Sequence, residues 1–159
     1  AIKDVPKLIK KDFIISKLKI IFNELQNTFK IKKPKIIVSG LNPHSGENGK
    51  IGLEEIRSII PAINCLNKQG YNVIGPKSAD TLFLKQNLKK YDAIVCMFHD
   101  QALIGIKTLS FNDIVNITLG IDFIRTSPDH GTGIDIAGKG KANPNSLIKA
   151  INKAAELIP

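Results

Sequence analysis

The chain has 159 residues, 43% of them apolar and 23% charged, with a formal net charge of +9 and only two cysteines. That length suits one soluble globular domain with a real core, and a disordered chain of this composition is excluded. No apolar run approaches the roughly 20 residues of a membrane span, and AIKDVPKLIKKD has neither the apolar centre nor the cleavage pattern of a signal peptide.

Residues 1–35 hold ten lysines against Asp4, Asp12 and Glu24, a local excess of +7, and the remainder of the chain carries about +2. The lysines interleave with Ile, Leu and Phe at helical spacing, as on the solvated face of an amphipathic helix. Their distribution therefore argues against nucleic acid as a partner. In residues 12–30, the positions Phe13, Ile14, Leu18, Ile21, Phe22, Leu25 and Phe29 form the apolar stripe of a helix, which Pro34 closes off. Ile36 to Val38 reads as a short buried strand, followed by the loop GLNPHSGENG. A second helix is expected from about Leu53 to Lys68, kinked at Pro61 and stopped at Gly70. Asn72 to Ile74 reads as a strand, Gly75-Pro76 as a turn, Asp80 to Lys90 as a helix and Ala93 to Phe98 as a buried strand. Ile114 to Leu119 and Phe123 to Ile124 are further strand candidates, and a last helix starts near Asn145. Short apolar strands alternating with helices predict an α/β layered fold with a largely parallel sheet. Cys65 and Cys96 lie in apolar surroundings and read as reduced core thiols of a cytoplasmic protein.

In such sheets ligands gather beyond the carboxyl ends of the strands. Two of the predicted strands, 36–38 and 93–98, lead there into a histidine, His44 and His99. A single loop histidine is either a hydrogen-bonded structural residue or a ligand. Two at strand ends of one sheet, beside Glu47 and Asp100, favour a divalent-cation site of imidazole and carboxylate donors, with Asp100 able to orient His99. Lys107, Asn116 and Arg125 would suit an anionic group if they converge, and otherwise read as surface Lys and Arg with an edge Asn. The stretch DHGTGIDIAGKGKANPNS, residues 129–146, is a glycine-rich loop able to bring backbone amides close to a ligand. No strand feeds it directly, so a Rossmann fingerprint is absent.

Taken together, GLNPHSGENGKIGLEEIRSIIPAI, GPKSADTLF, MFHDQALIGIK, VNITLGIDFIRTSPDHGTG and AGKGKAN resemble the 4-hydroxythreonine-4-phosphate dehydrogenase family of pyridoxal phosphate biosynthesis. The HGT and DIAGKGKANP segments also resemble the adenosine loop of isopropylmalate and isocitrate dehydrogenases, which share that fold. The resemblance implies a three-layer α/β/α architecture with a largely parallel mixed sheet, of which this chain would supply the C-terminal half as a single α/β segment, residues 1–159. It implies a cytoplasmic homodimer dependent on NAD and a divalent metal (Zn, Mg, Mn or Co), with active sites shared between subunits. His44 and His99 would be two of three metal-binding histidines, contributed to different sites. Lys107, Asn116 and Arg125 would hold a small phosphorylated substrate, and His130, Gly131 and Asn143 would lie near the adenosine of NAD. Asp80 and Asp100 would be acidic positions around metal and substrate, counted with Lys107 as candidate catalytic residues.

The implied reaction oxidises 4-phosphooxy-L-threonine and decarboxylates it to 3-amino-2-oxopropyl phosphate. The third metal histidine of the family would fall upstream of Ala1, so this polypeptide alone is expected to be inactive or a poor catalyst. Ser45 stands where the family usually has Ala, and Ala102 where it usually has Gly. The competing expectations are a sister dehydrogenase for another phosphorylated hydroxy acid, and a non-catalytic dimerising or basic binding module.

Overall fold

The computed structural model describes residues 1–111, 113–129, 131 and 133–158. The chain divides into two compact units, residues 1–105 and 106–159.

The first unit opens with a short helix α1 (Val5–Leu8) and the long α2 (Lys11–Asn27). Of the predicted stripe, Ile14, Leu18, Phe22 and Leu25 are buried, the spacing that puts side chains on one face of a helix. Phe13 lies off that face and is exposed. β1 (Lys35–Ser39), β2 (Asn72–Lys77) and β3 (Ala93–Val95) form a parallel sheet in the order β2-β1-β3. Ile36 and Val38, two residues apart and so on one side of β1, join α2, Ile59 and the Ala62, Ile63 and Leu66 side chains of α3 (Ile60–Lys68) in the core. The Asn67 side chain bonds both backbone groups of Val73, at 3.0 and 2.9 Å, and ties the end of α3 to the edge strand β2. The fold is thus α/β with a parallel sheet, as the alternation of elements implied.

Several boundaries differ from expectation. β2 continues through Gly75-Pro76, a cis peptide, to Lys77. It does so because Gly75 approaches β1 closely: a Cβ there would lie 2.5 Å from the Val38 carbonyl oxygen. The helix expected to kink at Pro61 instead begins with a π-helical turn, Glu55–Ile59, and α3 restarts with Pro61 in its first turn, where a missing N–H costs nothing. The helix expected over 80–90 is a 3-10 turn, Ala79–Thr81, followed by α4 (Lys85–Lys90). β3 stops at Val95, three residues early, because the Met97 N–H bonds the Gln101 side chain rather than a neighbouring strand. A helix that the sequence did not announce, α5 (His99–Ser110), follows at once.

The second unit is an antiparallel ribbon of β4 (Val115–Thr118) and β5 (Arg125–Pro128), packed on α6 (Asn145–Leu157). The expected strand at 123–124 is displaced to Arg125–Pro128. Phe123 is exposed, so its apolar character secures no pairing, and the ladder is set by the register Asn116↔Ser127 and Thr118↔Arg125.

Candidate functional site

Parallel pairing of Ile36 to Val38 with Ala93 to Val95 brings the carboxyl ends of β1 and β3 to the same edge of the sheet. From β1 the chain enters the loop 40–42 and then a compact turn, Pro43–Gly49. His44, Ser45, Gly46, Glu47 and Asn48 all have positive φ, a left-handed turn in which each non-glycine residue is disfavoured by about 1–2 kcal/mol. Something must hold it, and Glu55 does. Only 2% exposed, its carboxylate accepts hydrogen bonds from the Leu41 and Asn42 N–H groups, both at 2.8 Å, and from Asn42 Nδ2 at 2.9 Å. Gly46 packs so tightly on it that a Cβ would lie 2.6 Å from Glu55 Oε2. Next to it, Glu54 accepts a hydrogen bond from the same Asn42 amide at 2.8 Å. That bond, helped by its own and the Leu53 N–H groups and by Arg57, holds the Glu54 carboxyl below its ordinary value against the opposing effect of burial.

His44 is therefore an exposed side chain on a rigidly supported turn. His99 is the first residue of α5, also exposed at 76%, and its Nδ1 lies 2.7 Å from Asp100 Oδ1. This contact fixes the ring and leaves Nε2 directed elsewhere, the arrangement in which a carboxylate orients a ligating imidazole. The turn bearing Asp80 packs against the turn bearing His44. Behind these residues, burial pushes the Cys96 thiol up, with a hydrogen bond from Ser39 opposing, and both cysteines are unpaired.

Gln101 and Glu55 were not among the expected site residues. Their signal in the sequence was slight: an uncharged amide at the third position of a helix, and an acid ahead of Pro61 that reads as a solvated charge.

Within the second unit, cross-strand partners share a face, so Asn116, Thr118, Arg125 and Ser127 lie together. Thr126, on the other face, donates from Oγ1 to the Ala150 carbonyl of α6 at 2.8 Å. The Asn116 and Arg125 side chains therefore share the face away from α6, where Arg125 Nη1 donates to Thr118 Oγ1 at 2.8 Å. Lys107 Nζ, 35% exposed, is engaged by Asp129 Oδ2 at 3.1 Å, so an anion at Lys107 would compete with a carboxylate that is 16% exposed. Gly131 is exposed, and a Cβ there would meet no atom of the described residues, as at Gly138 and Gly140. Asn143 Oδ1 accepts from the Asn145 N–H at 3.0 Å and closes the loop onto the start of α6. His130 lies outside the described residues.

Among the described residues no three His, Cys, Asp or Glu side chains are grouped to hold a metal ion. The imidazoles of His44 and His99, with the Asp100 carboxylate beside one of them, have the donor chemistry of part of a divalent-cation site. None of the helices among the described residues is long and apolar enough to cross a membrane.

These features define an α/β protein whose candidate site side chains, His44 and His99, stand beyond the carboxyl ends of parallel strands. Residues 1–154 match the family described as pyridoxal phosphate biosynthetic protein PdxA, and the chain belongs to that family. It is 50% identical over 157 residues to a 4-hydroxythreonine-4-phosphate dehydrogenase of Bradyrhizobium diazoefficiens, covering 99% of this chain and 46% of that protein. A crystal structure of the 4-hydroxythreonine-4-phosphate dehydrogenase of Klebsiella pneumoniae superposes with a TM-score of 0.86 at 37% identity, over 99% of this chain and 47% of that one. A terephthalate 1,2-cis-dihydrodiol dehydrogenase from Burkholderia xenovorans gives 0.75 at 28% identity, over 99% and 50%. The chain spans about half the length of the curated relatives it matches.

Proposed function

We propose that the chain forms the C-terminal half of an NAD- and divalent-metal-dependent dehydrogenase that oxidises and decarboxylates 4-phosphooxy-L-threonine to 3-amino-2-oxopropyl phosphate. The observation that carries this reading is the placement of His44 and His99 on the segments that leave the carboxyl ends of two adjacent parallel strands, in a chain of the PdxA family. His44 and His99 would each be a donor to a cation, in different sites of the dimer, with the remaining donors supplied from outside the chain. When bound, such a cation supplies Lewis-acid polarisation of the substrate hydroxyl and of the ketone made from it.

The chain's own residues do the rest. Asp100 keeps the His99 ring in one orientation, and Asp80 adds negative charge beside the His44 turn. Arg125 and Asn116, on one face of the ribbon, suit the planar and polar demands of a phosphate, and Lys107 joins them once Asp129 releases it. The open glycines at 131, 138 and 140 let a nucleotide approach the backbone, with Asn143 shaping that loop. A second copy is the expected partner: Leu147, Ile148 and Ile151 on α6 are exposed apolar residues that an interface would cover. Two unpaired cysteines accord with a cytoplasmic setting.

The test is NADH formation from 4-phosphooxy-L-threonine by this chain combined with the amino-terminal half of the Bradyrhizobium relative. Activity in the combination, none in either half, and loss in His99→Ala are expected. Turnover of other phosphorylated hydroxy acids without turnover of 4-phosphooxy-L-threonine would reject the substrate. A second reading, a sister dehydrogenase, is favoured by the likeness to the dihydrodiol dehydrogenase and is tested by adding a cis-dihydrodiol to the same panel.

A further inference from the structure

We infer that Gln101 is a positioning residue that locks the start of α5, and with it His99, to the loop that delivers His44. The inference rests on the reading of those two histidines as ligands. Gln101 Oε1 accepts from the Met97 N–H at 2.9 Å and from Ser39 Oγ at 3.0 Å. Its Nε2 faces the carbonyl oxygens of Gly40 and Leu41, at 3.0 and 3.4 Å. One side chain thus ties the exit of β3 to the exit of β1, across about sixty residues of sequence.

Each end of this bracket leads to a histidine. Gln101 lies two residues beyond His99 in the first turn of α5, and by reaching back to Met97 it caps that turn. Gly40, at the other end, abuts Ser45: a Cβ on Gly40 would lie 2.8 Å from Ser45 Cα. Movement of the 39–41 segment is therefore passed to the residue next to His44.

The bracket needs an amide. Two carbonyl oxygens require a donor, while a hydroxyl and an N–H require an acceptor, and among side chains of this length only Gln offers both. A Glu at 101 keeps the acceptor and turns a second oxygen toward two carbonyls. A Met fills the space and makes none of the four bonds.

Gln101→Met and Gln101→Glu, in the full 159-residue chain, provide the test. The readouts are the imidazole proton–nitrogen NMR signals of His44 and His99, and their response to zinc chloride, with folding checked by circular dichroism. The Met variant is expected to broaden or double the His99 signals and raise the half-saturating zinc concentration about tenfold or more, with the Glu variant intermediate. Folded variants whose imidazole signals and zinc response match the parent would overturn the inference and leave Gln101 a purely structural residue. If Gln101→Met fails to fold, the Glu variant decides by the same two readouts. If zinc moves neither imidazole in the parent, the metal reading fails separately, and the signals in the absence of zinc decide the positioning role.

Discussion

Glu55→Gln isolates the clamp that holds the left-handed turn. The carboxylate accepts from Leu41 N, Asn42 N and Asn42 Nδ2 at 2.8, 2.8 and 2.9 Å. Gln has the same shape but one acceptor oxygen. Turned toward the two backbone N–H groups, it keeps them as neutral hydrogen bonds and sets its own NH2 against the Asn42 amide, donor to donor. Flipping Asn42 relieves that clash only by giving up the bond from Asn42 Nδ2 to Glu54. Hydrogen bonds to a charged group contribute roughly 1.5–3 kcal/mol each and neutral ones about 1 kcal/mol, so weakening two and losing one costs about 2.5–7 kcal/mol. The turn it restrains contains four non-glycine residues at positive φ, each disfavoured on its own. Urea unfolding followed by far-ultraviolet circular dichroism measures the loss, and hydrogen exchange reads the Leu41 and Asn42 amides directly. A fall of at least about 2.5 kcal/mol with faster exchange at both amides is expected. A loss below about 0.5 kcal/mol with both amides still protected would refute the clamp.

Ser45→Ala should stabilise the chain by about 1 kcal/mol in the same urea assay, because Ser45 Oγ is buried without a hydrogen-bond partner among the described residues. No gain would mean the hydroxyl is satisfied. Glu54 contributes stability above its ordinary value of 4.5 and loses it as the pH falls through its lower folded value. The urea midpoints of parent and Glu54→Gln should therefore converge in acid, and a constant gap from pH 7 to pH 3 would contradict this. Asp129→Asn removes the carboxylate facing Lys107 at 3.1 Å and should lower stability by about 1 kcal/mol, with an unchanged midpoint counting against a structural pair. Adding a chelator should leave the urea midpoint of the isolated chain where it was, since a partial donor set binds metal too weakly to shift folding, and a marked drop would indicate a complete site.

The sequence revealed what burial dictates. The stripe of α2 and the apolar runs of β1 and β3 were readable because their periodicity follows which face meets the core. The histidines at the strand ends were readable for the same reason, since parallel strands of one sheet deliver their carboxyl ends to one edge. What escaped was set by hydrogen bonding between distant residues. The start of α5 has no Ser, Thr, Asp or Asn cap and is secured by Gln101, whose partners at 39–41 are remote in sequence. Gly105 within α5 reads as a helix breaker, yet it is there because Phe83 lies on it: a Cβ would come 2.3 Å from Phe83 Cδ2. β5 escaped because RTSP has no apolar alternation, and its pairing comes from ladder register rather than from a buried face. Lys107, read as facing a substrate, carries an ion pair to Asp129 that no local pattern discloses.

The division of labour at the histidine edge follows from these contacts. His44 and His99 are exposed, whereas Glu55 is buried and Gln101 half-buried, and the hydrogen bonds shown for those two supports end on the chain's own backbone or side chains. Such supports are satisfied with or without a ligand, so their geometry needs no metal to form. A site arranged this way is preorganised: binding need not order the loop or the helix start, and the conformational entropy of those segments has already been met by folding. The exposure of the imidazoles suits the proposed shared site. A ligating ring whose partners are supplied by another polypeptide must stand at the surface of its own, and a buried one could not be reached. Exposed donors on buried supports are thus what the proposed shared site would require of each contributor.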